Sequence, residues 1–151
     1  MSIILGISAF FHDSSACLIV DGKIIAAALE ERFTRVKHDS SFPKKAIEYC
    51  LREAKIKSEE IDTVTFFEKP FTKFERILEN FVKQSPNGFI PFQRAIKSWV
   101  KDKFWVEDLF KKKFKFKGDF LYCQHHLSHA ANACYQSGFD NAAYIVIDGV
   151  G

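Results

Sequence analysis

The chain has 151 residues, 47% hydrophobic and 27% charged, with a formal net charge of +3. That is enough for one domain with a core, in the balance of a soluble globular protein, and too mild a charge to argue for nucleic acid. No run approaches the roughly 18 apolar residues of a membrane span, and an apolar start that meets His12 and Asp13 without a basic segment before it argues against a signal peptide.

The elements follow in chain order. Ser2 to Ser8 is an apolar run that predicts a first strand, and Ala9 to Ser15 a polar turn. Ala16 to Val20 and Lys23 to Leu29 read as two strands joined by the tight hairpin pair Asp21-Gly22. Glu30 to Ser41 is charged and irregular. A helix is predicted from the Ser41-Phe42-Pro43 start to about Ala54, with Ala46, Ile47, Cys50 and Leu51 on one stripe. Ile61 to Phe67 reads as a fourth strand. From about Pro70 to Gly118 phenylalanine recurs among lysines, and helices are expected over Lys73–Lys83 and Phe92–Lys113, split by Ser85-Pro86-Asn87-Gly88. Phe120 to Cys123 is a short strand, His125 to Gln136 a helix stopping near Gly138, and Ala142 to Ile147 a last, buried strand. Hairpin-linked strands followed by alternating helices and strands predict an α/β domain with a mixed sheet. The cysteines Cys17, Cys50, Cys123 and Cys134 form no CxxC pair, and read as buried free thiols of a reducing, cytoplasmic compartment.

The window His125-His126-Leu127-Ser128-His129 holds three of the five histidines. On a helix His125 and His129 share one face, a spacing that lets two imidazoles hold one zinc or iron(II) ion. His126 is turned about 100° away, toward substrate or a supporting partner. Asp148 at the end of the last strand is a third donor, and Gly149 leaves room for an anion to approach backbone N–H groups. Each has a plainer reading: capping or core histidines, and a simple Asp-Gly turn. Phe11-His12-Asp13-Ser14-Ser15 is either a solvated turn or a loop with a general base and phosphate-binding hydroxyls. Arg32, Arg35, Lys37 and His38 either meet phosphate or carboxylate groups or form a solvated loop balanced by Glu30 and Glu31. Lys111 to Lys117 alternates base and aromatic, which fits an amphipathic helix end better than nucleic acid.

Four blocks together resemble one family. Leu5-Gly6-Ile7-Ser8-Ala9-Phe10-Phe11-His12-Asp13-Ser14-Ser15-Ala16, Glu30-Glu31-Arg32-Phe33-Thr34-Arg35-Val36-Lys37-His38-Asp39, the histidine window with Ala130-Ala131, and Asp148-Gly149 stand in the order found in carbamoyltransferases of the nodulation-protein and antibiotic-tailoring type. The resemblance implies an actin-like, ribonuclease-H-like fold related to the tRNA threonylcarbamoyl-transferase. It implies that carbamoyl phosphate and ATP form carbamoyl-adenylate on a separate C-terminal domain. The carbamoyl group then moves to a hydroxyl of a sugar or antibiotic-like acceptor. By the same resemblance His125, His129 and Asp148 look like ligands of iron(II) or zinc, His12 like the general base and Lys37 like a phosphate or carbonyl contact. Ser14, His126 and Gly149 fall on the cofactor side.

The expected organisation is therefore residues 1–151 as the first lobe of the transferase domain, with a phenylalanine-rich helical insertion at about 70–117. The rest of the domain and the adenylate-forming domain are absent from a chain that ends inside its own ligand turn, so it reads as a fragment, inactive alone and prone to self-association through its exposed cleft face. No nucleic acid or membrane partner is expected. A stand-alone metal-binding or scaffold module and a sugar-kinase-like ATPase lobe are the competing readings.

Overall fold

The structure, a computed structural model, describes residues 1–84, 92–93 and 103–148. Its centre is a five-stranded mixed sheet in the order β3-β2-β1-β4-β5, built from β1 (Ile3–Ser8), β2 (Ser15–Val20), β3 (Lys23–Leu29), β4 (Thr63–Phe66) and β5 (Asp119–Tyr122). β2 runs antiparallel to both β1 and β3, while β1, β4 and β5 are mutually parallel. Alternation decides the faces: Ile3, Leu5 and Ile7 of β1 and Val64 and Phe66 of β4 are buried. The hairpin forms as expected. Val20 pairs with Lys23, and Asp21 and Gly22 take φ of 48° and 78°, the left-handed pair that a two-residue turn requires.

The helices are α1 (Glu31–Thr34), α2 (Lys44–Ala54), α3 (Pro70–Gln84), α4 (Val106–Lys113) and α5 (His125–Ser137). α2 lays the expected stripe of Ala46, Ile47, Cys50 and Leu51 into the core over β2 and β3. Its C-terminus closes at Lys55, a left-handed residue whose N–H reaches the carbonyls of Arg52 and Leu51. The long helix expected over Phe92–Lys113 differs where it can be followed. Lys103–Trp105 is a 3-10 turn, with the α-helix beginning only at Val106, and residues 94–102 lie outside the described residues, as does the breaker Ser85 to Gly88.

Phenylalanine serves as core. Phe110 is fully buried with rings of Phe42, Phe114, Phe116 and Phe120 at centroid distances of 6.4, 5.1, 5.3 and 6.1 Å. Gly118 then leads into β5 at a point where a Cβ would run into the Asp62 carbonyl, the same oxygen that accepts the Asp119 N–H at 2.9 Å. Gly118→Ala is expected to cost about 2–3 kcal/mol. An unchanged melting temperature would show that the Asp62 backbone yields.

Two expectations are corrected. Residues 142–148 form no regular strand, and Tyr144, Ile145 and Ile147 are exposed. An apolar run becomes a strand only by pairing and by cover, and among the described residues β5 pairs with β4 alone. Of the cysteines only Cys50 is buried. Its thiol donates toward the carbonyls of Ala16 and Ala26, both at 3.6 Å, and burial pushes it up to about 11, so it is inert.

Candidate metal centre

Parallel pairing sets Ile7, Phe66 and Tyr122 side by side, so β1, β4 and β5 end at one edge of the sheet. That edge is where open α/β sheets place ligands. Three segments leave it: the loop with His12, Phe67-Glu68, and α5.

β5 delivers α5 directly. Cys123 continues the ladder through its N–H to the Phe66 carbonyl (2.9 Å), and Gln124 is extended before His125 opens the helix. Ser128 fastens the first turn by donating its hydroxyl to the carbonyls of Phe67 (3.2 Å) and Gln124 (3.3 Å). Phe67 meets the His125 ring edge-on, at a centroid distance of 5.6 Å. His125 and His129 then share a face as their spacing predicts. Their Nε2 atoms are 3.2 Å apart, and Asp148 Oδ2 lies 2.7 Å from His125 Nε2. One ligand atom from each of the three residues falls within 4.8 Å of the others.

The donor set fits a divalent cation. A single proton on His125 Nε2 cannot serve both the carboxylate and the second imidazole, and without one, lone pair would face lone pair. A cation between them makes all three atoms electron-pair donors. Donors about 2.1 Å from a tetrahedral ion lie about 3.4 Å from one another, a little farther than the 3.2 and 2.7 Å seen here. His125 Nδ1 is buried with no hydrogen-bond partner among the described residues, which leaves Nε2 as the atom that can bind. Two imidazoles and a carboxylate suit iron(II) or zinc and leave positions for a substrate oxygen.

The remaining residues fall as follows. His12 is exposed on the β1–β2 loop, His126 is exposed with its ring 5.9 Å from that of His125, and Lys37 is exposed on the loop after α1. Ser14 is fully buried, so its hydroxyl meets no ligand in this conformation. Gly149 lies outside the described residues.

A second polar group stands at the end of β1. Asp13 accepts from His12 Nδ1 through Oδ2 (2.8 Å) and from His38 Nδ1 through Oδ1 (2.9 Å), while the His38 N–H donates to Glu31 Oε2 (2.9 Å). The hydrogen bonds from His38 and then His12 hold the Asp13 carboxyl below the usual range, and the bond to Asp13 raises the His38 imidazole. Phe10, Asp13 and His38 have φ of 68°, 48° and 55°. Left-handed backbone costs a non-glycine residue on the order of 1 kcal/mol or more, steeply so for phenylalanine. Phe10 N–H to Ser40 carbonyl (2.9 Å) and Ser14 N–H to Asp39 carbonyl (2.8 Å) hold the two loops together against it.

A third feature escaped the sequence reading. Glu68 is 1% exposed and takes Lys73 Nζ at 2.9 Å and Lys103 Nζ at 3.4 Å. Both ammonium groups lie 5.6 Å from the Phe11 ring centroid, tying the phenylalanine-rich segment to the neighbour of His12. Burial lowers the Lys103 ammonium, with Glu68 pulling the other way.

The carbamoyltransferase N-terminus family model matches residues 3–151. The chain belongs to the carbamoyltransferase family. It is 46% identical to the uncharacterized protein sll1178 of Synechocystis over its whole length, which is 26% of that protein. It is 31% identical to the nodulation protein NolNO of Sinorhizobium fredii, covering 95% of this chain and 20% of that one. An uncharacterized protein of Methanocaldococcus jannaschii, MJ1051, is 35% identical over 93% of the chain and 21% of its own length. The chain thus spans about a quarter or less of the length of each of these three relatives. A solved structure, YeaZ from Pseudomonas aeruginosa, superimposes with a TM-score of 0.49 at 13% identity, over 91% of this chain and 51% of that one. Among the described residues no helix is long and apolar enough to cross a membrane.

Proposed function

We propose that the chain is the first lobe of the actin-like domain of an O-carbamoyltransferase of the nodulation-protein and antibiotic-tailoring type. It takes part in moving a carbamoyl group from carbamoyl-adenylate, made from carbamoyl phosphate and ATP, to a hydroxyl of a sugar or similar small acceptor. The segment at about 70–117 is an insertion in that lobe, and the remaining length of the longer relatives leaves room for the lobe's partner and the adenylate-forming domain.

The observation that carries this reading is the convergence of His125, His129 and Asp148 at the sheet edge where β1, β4 and β5 end, in a chain of this family. These three residues would hold iron(II) or zinc. Once bound, the ion would act as a Lewis acid that offsets charge developing on the leaving phosphate. His12 takes the proton of the acceptor hydroxyl at Nε2. Lys37 offers its ammonium to a phosphate or carbonyl oxygen, and His126 and Gly149 serve the adenylate side.

The test is metal content of the purified chain, wild type beside His125→Ala/His129→Ala. Near-stoichiometric iron or zinc is expected in wild type alone. Partners that merely support a ligand are worth about 10–100-fold in affinity, so loss of two ligands should exceed about 100-fold. Equal metal content in both proteins would sink the assignment.

A further inference from the structure

We propose that Asp13 is the positioning residue of the transfer step: its two carboxylate oxygens grip His12 and His38 by their Nδ1 atoms, leaving the Nε2 of His12 as the base. The distances of 2.8 and 2.9 Å put one imidazole on each oxygen. An ionised carboxylate only accepts hydrogen bonds, so each Nδ1 must carry a proton. In the neutral ring Nε2 then holds the lone pair. Neither Nε2 has a partner among the described residues, and the side chains of His12 and His38 are 60% and 62% exposed, so a substrate hydroxyl can reach them.

His38 is what keeps Asp13 in place. It occupies the second carboxylate oxygen and is itself held by Glu31 through its backbone N–H. The left-handed φ values at Asp13 and His38 show that the loops hold costly backbone where the two side chains meet. His12 is further braced by the Phe11 ring, 4.5 Å from its own, which in turn lies under the ammonium groups of Lys73 and Lys103.

The catalytic consequence rests on the transferase reading; the tautomer does not. In the transfer step the acceptor proton passes to His12 Nε2 as the acceptor oxygen bonds to the carbamoyl carbon. The bond from that carbon to the leaving phosphate oxygen breaks, and the phosphate keeps the electron pair. Asp13 offsets the charge on the imidazolium that forms.

The test has two readouts. Long-range proton–nitrogen correlation NMR of isotope-labelled histidine reports the tautomer of His12 in the chain, and carbamoyl transfer is measured in the longer protein that contains it. Asparagine tolerates left-handed backbone, so Asp13→Asn suits the loop. The expected result is an Nδ1–H tautomer at His12 in wild type, loss of that preference in Asp13→Asn, and at least about a 100-fold fall in the transfer rate with metal content unchanged. An Nε2–H tautomer in wild type overturns the proposal even if the variant does not fold. So does a changed tautomer with full transfer. A wild-type protein with the Nδ1–H tautomer but no carbamoyl transfer would uphold the grip and count against the transferase reading instead.

Discussion

Phe110→Ala is expected to destabilise the domain by about 3–5 kcal/mol, the usual cost of emptying a buried phenylalanine site. The upper part of that range applies where the surroundings cannot collapse, and here they cannot. Phe42 sits just before α2, Phe120 is fixed in β5, and Phe114 and Phe116 lie on the connection between α4 and β5. All four rings meet at Phe110, so its removal unties α4 from the sheet and loosens the strand that delivers α5. The check is urea unfolding of wild type and variant, in which the midpoint should fall with little change in slope. Phe71→Ala is the contrast. Phe71 is 67% exposed although its ring stacks on Phe104 at 4.9 Å, and its loss should cost under about 1 kcal/mol. A Phe110→Ala loss as small as that of Phe71→Ala would mean that the Phe110 cluster is not part of the core.

The same comparison shows what the sequence could and could not disclose. β1 to β3, their Asp21-Gly22 turn and the stripe of α2 are local patterns, and each forms close to where alternation, turn chemistry or helical spacing puts it. The pairing of His125 with His129 was legible for the same reason, since one helical turn joins them. Contacts between distant residues were not. Asp13 and His38 are 25 residues apart, and Glu68 and Lys103 are 35 apart. Read singly, Asp13 is a turn residue and His38 one of a basic cluster. Nor does any local pattern announce left-handed backbone at Phe10, which persists only because Ser40 holds it. Residues 142–147 show the reverse failure. Their composition is that of a strand, but strand formation is a property of the partner edge as much as of the run itself.

Glu30→Ala should cost about 2–4 kcal/mol, although sequence reading treats Glu30 as a counter-charge in a solvated loop. The residue is 3% exposed, and its carboxylate accepts the N–H groups of Lys45 (3.1 Å) and Ala46 (2.7 Å). Those are first-turn amides of α2, a helix whose own N-terminal position is Pro43 and provides no side-chain cap. Glu30 therefore caps α2 from another element and places negative charge at the positive end of the helix dipole, with hydrogen bonds to a charged acceptor worth about 1.5–3 kcal/mol each. Glu30→Gln separates this from packing. Its size is nearly the same, but its amide NH2 would face one of two donors, so it should recover only part of the loss. Full recovery by glutamine would assign Glu30 a space-filling role. Amide exchange gives the local view: Lys45 and Ala46 should exchange faster in both variants. The effect should also reach the site, because the Glu30 N–H donates to the Ser14 carbonyl at 2.8 Å, one residue beyond Asp13. A cap that holds α2 to the end of β3 thus also fixes the loop on which Asp13 grips His12.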